Sequence, residues 1–199
     1  MKTKINKLFL AFIISFTCFN LSFSQKLQEG QLRWSAGKKL TINDYKIKIG
    51  KENNTVISSQ FLISYSAQGF DFIKRNLNQR IGNLFISNAS WIDTTKVKEI
   101  DKQIDFQQVQ FDLAEIQARK FRQRIFLNKW NITKGFSILD KISNEIMAEF
   151  AEIRVKLIEE TQSGTNEQEV LKWKQKIKTQ LEELYDFRFD NKKKIKRKK

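Results

Sequence analysis

The chain has no histidine, no proline and a single cysteine among its 199 residues. Without histidine there is no imidazole to ligate a metal, to act as general base or to complete a Ser-His triad. Cys18 alone excludes a disulfide framework, a cysteine-rich zinc module and a CxxC redox site. Average proline usage of about 5% would supply about ten residues here, so their absence excludes Pro-rich linkers and fits a helix-rich chain. Long apolar runs are also missing after the first two dozen residues, so no later stretch is long enough to span a membrane. What is present is ordinary globular material: 40% hydrophobic and 30% charged residues, which argues against wholesale disorder. The length suits one domain rather than two.

Residues 1–24 read as an export signal. Lys2, Lys4 and Lys7 form a positive start, Leu8 to Phe19 an apolar stretch, and Ser22-Phe23-Ser24 a small-residue cleavage site before Gln25. Cys18 leaves with that segment, because Phe16-Thr17 before it makes a poor lipidation site. The expected destination is the periplasm or exterior of a bacterium. The formal charge of +15 is unevenly placed. Three lysines sit in the signal, and Lys192, Lys193, Lys194, Lys196, Arg197, Lys198 and Lys199 crowd the end around Ile195. The body is therefore only mildly basic. Residues 191–199 are expected to form a solvated, disordered basic tail, either an inert solubilising end or a grip on polyanions and anionic membrane surfaces. No nucleic-acid reading motif accompanies it.

Between these ends, residues 25–190 are expected to form one α+β domain, a small N-terminal sheet followed by three long helices. Gln25 to Gly50 is polar, with Trp34, Leu40, Ile42 and Tyr45 as isolated apolar anchors. Val56 to Ser66 alternates, placing Phe61, Ile63 and Tyr65 on one face of a strand. Gln79 to Ser87 is a second strand, with Ile81 and Phe85 on one face, and Gly69 and Gly82 suggest turns or bulges. The period then changes to that of a helix from about Asp101 to Leu127, with Val109, Leu113, Ile116, Phe121 and Ile125 on its buried stripe. Gly135 ends a short loop. Phe136 to Glu160 carries Ile138, Ile142, Ile146, Phe150, Ile153 and Leu157 at steps of three and four. Thr161 to Asn166 breaks that helix, and Val170, Trp173, Ile177, Leu181 and Leu184 mark a third.

The first of these helices contains Phe106-Gln107-Gln108-Val109-Gln110-Phe111-Asp112-Leu113-Ala114-Glu115, then Ala118-Arg119. This resembles the metal helix of the bacterial predicted secreted zinc-dependent proteases (domain of unknown function 922, zincin-like). There the pattern is His-Glu-Gln-x-His-Phe-Asp-Ile-Ala-Glu, then Ala-Arg. Trp34 with Leu40-Thr41-Ile42-Asn43-Asp44-Tyr45 is similar to the family's opening Trp and Leu-Thr-Trp-x-Asp-Phe. Ser90-Trp91-Ile92 is similar to its Ser-Trp-Val. Glu160-Thr161-Gln162-Ser163-Gly164-Thr165-Asn166, with Trp173 beyond, is similar to its Glu-Thr-x-His-Gly-Thr-Asn and later Trp.

The resemblance implies a zincin-like fold and also a lost site. Two histidines four apart on a helix, with a glutamate beside the first, hold a zinc and its general base. Phe106 and Gln110 stand at those histidine positions here, Gln107 at the glutamate, and Ser163 at the distal histidine. Phenylalanine cannot coordinate zinc, and a glutamine amide cannot take a proton from water near neutral pH. The implied protein is a degenerate member with no catalytic residue, no metal and no cofactor. The four positions are expected to converge at the floor of a cleft, with Phe106 filling the metal's place and Gln107 and Gln110 satisfying each other or nearby backbone. Asp112, Glu115, Arg119, Trp91 and Trp173 match family positions and are expected to line the cleft or support it.

Other readings stay open at this point. A Gln-rich helical turn is common on a solvated face, and Phe106 could be ordinary core. Asp112 and Glu115 fit a buried ion pair with Arg119 or a loop cap. With Asp105 they also fit a carboxylate-dependent hydrolase. The expected function is an exported, non-catalytic pseudoprotease-like domain that binds or scaffolds an unknown protein or envelope partner.

Overall fold

Alternation along Phe61–Tyr65 makes a strand whose aromatic side chains must be covered, and a long helix covers them. The computed structural model describes residues 27–49, 56–66, 71, 76–95, 97–132 and 137–196. The segment expected to be an export signal, with Cys18, and likewise Gly69, Gly135 and residues 197–199, lie outside these.

Among the described residues, six strands come first: β1 (Gln31–Arg33), β2 (Ile47–Ile49), β3 (Ile57–Ser58), β4 (Phe61–Tyr65), β5 (Ile81–Ile86) and β6 (Trp91–Asp93). Three helices follow: α1 (Val97–Ile132), α2 (Ser137–Glu160) and α3 (Glu167–Glu183). The architecture is α+β, as expected, but the strands form two sheets rather than one. One sheet has the order β1-β5-β4, all antiparallel. The other has the order β2-β6-β3, with β2 parallel and β3 antiparallel to β6. The segment read as polar with isolated anchors thus supplies β1 and β2. Each is only three residues long, too short for alternation to register. Gly82 lies within β5 opposite Ser64 and marks no turn.

Helix α1 organises the domain. Phe61 stacks on Phe111 at 5.3 Å, and Tyr65 meets Phe121 edge-on at 5.6 Å, so β4 lies along this helix. The expected stripe of Val109, Leu113, Ile116, Phe121 and Ile125 is fully buried. So are Gln107, Gln108, Gln110, Glu115, Gln117, Arg119 and Arg122. The helix is enclosed on nearly every side from Ile104 to Arg122. Its Gln-rich turn is therefore no solvated face. The helix runs beyond both ends of the Asp101–Leu127 estimate. Helix α2 buries Leu139, Ile142, Ile146, Phe150 and Leu157. Helix α3 starts at Asn166, whose side chain accepts from Glu169 N, and buries Val170, Trp173 and Ile177.

The tail needs the clearest correction. Asn191 and Ile195 are buried. The Asn76 side chain donates to Asn191 O at 2.7 Å and to Lys193 O at 2.8 Å. Asn78 donates to Asp186 O at 2.9 Å and Arg188 O at 3.0 Å, fixing the run that leads there. The buried Ile195 and the Asn76 clamp hold residues 191–196 on the body, while Lys192, Lys193, Lys194 and Lys196 remain exposed. Among the described residues no helix is long and apolar enough to cross a membrane.

Candidate functional site

Helix geometry separates two faces of α1. At 3.6 residues per turn, Phe106, Gln107 and Gln110 fall on one side, and Asp105, Gln108, Asp112 and Arg119 on the other.

On the first side, Phe106 is buried against the turn between α2 and α3. That turn runs through three left-handed residues, Gln162 (φ 49°), Ser163 (φ 57°) and Gly164 (φ 88°). Thr161 Oγ1 donates to Leu157 O at 2.6 Å, and Ser163 N to Ile158 O at 2.8 Å, closing the end of α2. A Cβ built on Gly164 would stand 2.5 Å from Phe106 Cγ. Glycine is therefore required twice here, by backbone conformation and by the ring lying against it. The Phe106 and Gly164 segments, widely separated in sequence, meet here.

The rest of that expectation needs correcting. Ser163 is exposed, and none of the four positions lines the cleft of about 1010 Å³ or the neighbouring one of about 510 Å³. Gln107 and Gln110 do not pair with each other. Gln110 Oε1 accepts from Arg154 Nε at 2.8 Å, while Gln107 Oε1 is buried with no hydrogen-bond partner among the described residues. Arg154 lies over the Phe61 ring at 5.7 Å, and burial holds its guanidinium below the ordinary value. A zinc does not fit this set. One position that the resemblance aligns with a ligand is a hydrocarbon ring, and the carbonyl at another is turned to a cation that would repel a second one. Among the described residues no three Asp, Glu or Cys side chains gather as a metal set elsewhere.

On the opposite side of α1 lies a cleft of about 1010 Å³, between the helix, the Arg33–Lys39 segment and α3 with the chain that follows it. A second cleft of about 510 Å³ adjoins it, sharing Lys39, Asp105 and Gln108. Asp112 is the polar hub of the wall. It accepts from Trp34 Nε1 at 2.7 Å and Gln108 Nε2 at 2.6 Å, with Lys39 Nζ at 3.6 Å. Gln108 Oε1 in turn accepts from Leu40 N at 2.8 Å. These bonds fasten the Trp34–Leu40 segment to α1 and set the width of the cleft.

Comparison with protein-family models, with curated proteins and with solved structures returns no match for this chain.

The remaining candidates divide between cleft and core. Asp112 and Arg119 line the cleft, but Glu115 lies beneath it. Glu115 Oε1 accepts from Arg119 Nε at 3.1 Å and Arg122 Nη1 at 2.8 Å and is sealed from solvent, so it cannot reach a substrate. Arg122 also donates to Ile81 O and Phe187 O, tying α1 to β5 and to the segment after α3. The Glu115–Arg119 pair is the buried ion pair that i,i+4 spacing suggests. Burial outweighs it, and the Arg119 guanidinium sits below its ordinary value. Asp105 is held by Lys174 across the cleft mouth. Trp91 opens β6 beside β2, and Trp173 Nε1 donates to Glu160 Oε2 at 2.9 Å, bracing the α2–α3 turn. Neither lines either of these two clefts.

Sequence reasoning missed Arg154 and the α3 wall of Lys174, Ile177, Lys178 and Leu181. It read Ile177 and Leu181 as core stripe only. An apolar stripe that continues past the core it covers looks the same in sequence.

Proposed function

We propose that this chain is an exported, non-catalytic protein on a zincin-like α+β scaffold, acting by binding a partner in the bacterial cell envelope. The observation that carries this reading is the Phe106–Gly164 contact. It joins the two segments that the resemblance aligns with the first and third zinc ligands, and it joins them by packing instead of coordination. Arg154 on Gln110 supplies a fixed cation beside the same positions. The carboxylates that a hydrolase would recruit are otherwise engaged: Glu115 under two arginines, Asp112 by Trp34 and Gln108, Asp105 by Lys174.

Thermal melts of the mature protein with EDTA or added zinc should coincide, and casein or peptide substrates should not be cleaved. A zinc-restored shift of several degrees, or zinc-dependent cleavage, overturns the proposal. Export has its own readout. Mass spectrometry of the secreted protein should find Gln25 at the amino terminus, and a chain still carrying Met1 to Ser24 contradicts it.

A second reading has its own support. Lys192, Lys193, Lys194 and Lys196 are exposed on a segment fixed to the body, which presents their charge as a patch. Deleting residues 192–199 should abolish salt-sensitive retention on anionic vesicles if this patch binds polyanions.

A further inference from the structure

The cleft across α1 from Phe106 is unused by the function argued so far, and its lining is chemically specific. Its floor and sides are apolar and aromatic: Trp34, Val109, Ile177, Leu181, Tyr185 and Phe189. Around them stand six cations, Arg33, Lys39, Arg119, Lys174, Lys178 and Arg188, against four carboxylates. Three of those carboxylates already face cations. Asp112 has Lys39, Asp105 has Lys174, and Asp190 has Arg188 at 3.2 Å. The wall is preorganised. Arg33 lies over the Phe189 ring at 4.1 Å, Arg119 over Trp34 at 5.3 Å and Arg188 over Tyr185 at 3.9 Å. Each aromatic face is thereby held beside a positive charge. The volume matches that of sites enclosing a whole small ligand.

We propose that this cleft binds an anionic amphiphile, an acyl or aryl chain ending in a carboxylate or phosphate. The apolar body would lie on Trp34, Ile177 and Leu181, and the anionic head beside Lys178, competing with Asp112 and Asp105 for Lys39 and Lys174. The site requires no metal and lies on the face of α1 away from Phe106, so it stands or falls independently of the zincin-like reading.

Dodecanoate and dodecyl phosphate, below their micelle concentrations, serve as probes in calorimetric titration of the full mature protein, with dodecyl maltoside as the neutral control. Wild type should bind one anionic probe per chain with a dissociation constant on the order of 10–100 μM. The tighter of the two assigns the head group. Two variants locate the site without touching the core. A Cβ at Gly37 meets nothing within 4 Å, so Gly37→Trp should fold normally and fill the cleft mouth. Lys39→Glu with Lys178→Glu reverses two exposed charges on the wall. Each should weaken anionic binding by about tenfold or more at low salt. The proposal is overturned if neither probe saturates, if dodecyl maltoside binds as tightly as both, or if Gly37→Trp, shown folded by circular dichroism, binds like wild type. It fails equally if charge reversal leaves the affinity unchanged. Melts with zinc are untouched by any of these results, which keeps the two readings separable.

Discussion

Replacing Gly164 by alanine tests the packing of Phe106 against the α2–α3 turn with a magnitude that the structure supplies. The residue has φ +88°, which charges any L side chain about 1–2 kcal/mol for left-handed backbone. The new methyl would also stand 2.5 Å from Phe106 Cγ, 2.8 Å from its Cβ and 2.9 Å from Cδ1. Ordinary carbon contacts lie at about 3.5–4.0 Å, so the ring must retreat by about 1 Å. Phe106 is buried between α1 and the turn, and overpacking of this kind costs about 1–3 kcal/mol. The total is about 2–5 kcal/mol. The two parts separate in a double-mutant cycle. In a Phe106→Ala background the ring is gone, the remaining contact to Cβ relaxes into the vacated space, and only the backbone term of about 1–2 kcal/mol should remain. Phe106→Ala itself should cost about 3–5 kcal/mol, so all four proteins are compared in the same stabilising osmolyte by urea unfolding followed through tryptophan fluorescence. Equal costs of Gly164→Ala in the two backgrounds would refute the reasoning, because the ring could not then lie against the turn.

Three further outcomes follow from other parts of the fold. Glu115→Ala strands two buried guanidiniums and should cost about 3–5 kcal/mol, whereas Asp105→Asn, on a surface pair with Lys174, should cost about 0–1 kcal/mol. Similar midpoint shifts in urea would deny the burial of the Glu115 cluster. Asn76→Ala removes two bonds to Asn191 O and Lys193 O, so trypsin should cut after Lys192 to Lys194 faster than in wild type; an unchanged rate would mean the segment is not docked. Burial raises the Tyr45 phenol well above its ordinary value near 10, although its bond to Ser59 pulls the other way. The fold thus favours the protonated form. That contribution is intact below about pH 10 and is lost as pH climbs toward the raised folded value. Alkaline unfolding curves of Tyr45→Phe should be flatter than wild type above pH 10, and identical slopes would contradict the assignment.

The three helices and the two longest strands were legible because each carries enough periodic apolar residues to reveal a face. Phe61 and Tyr65 were placed on one side of a strand, and Phe111 and Phe121 receive them. The second sheet was not legible, since β2 and β6 are three residues each and take their order from pairing in space. The tail misled for a related reason. Seven charges hide one isoleucine, and the asparagines that clamp the segment lie far away in sequence. At the candidate site, the Phe106–Gly164 contact was within reach of motif reading. Its relation to the cleft was not, because α1 is buried on both faces and its polar residues give no sign of which face opens to solvent. Arg154 shows the same limit. It sits on α2, and only the fold brings it to Gln110.

Zinc titration of a reverted variant tests the central claim most directly. Phe106→His, Gln107→Glu, Gln110→His and Ser163→His restore the donors that the resemblance implies, and Arg154→Gln removes the cation that opposes them. If these positions descend from a metal site on a zincin-like scaffold, the folded variant should bind one zinc at micromolar affinity or better while wild type binds none. A variant that folds, with its helical spectrum intact, and still takes up no zinc would contradict the correspondence of Phe106, Gln107, Gln110 and Ser163 with that site.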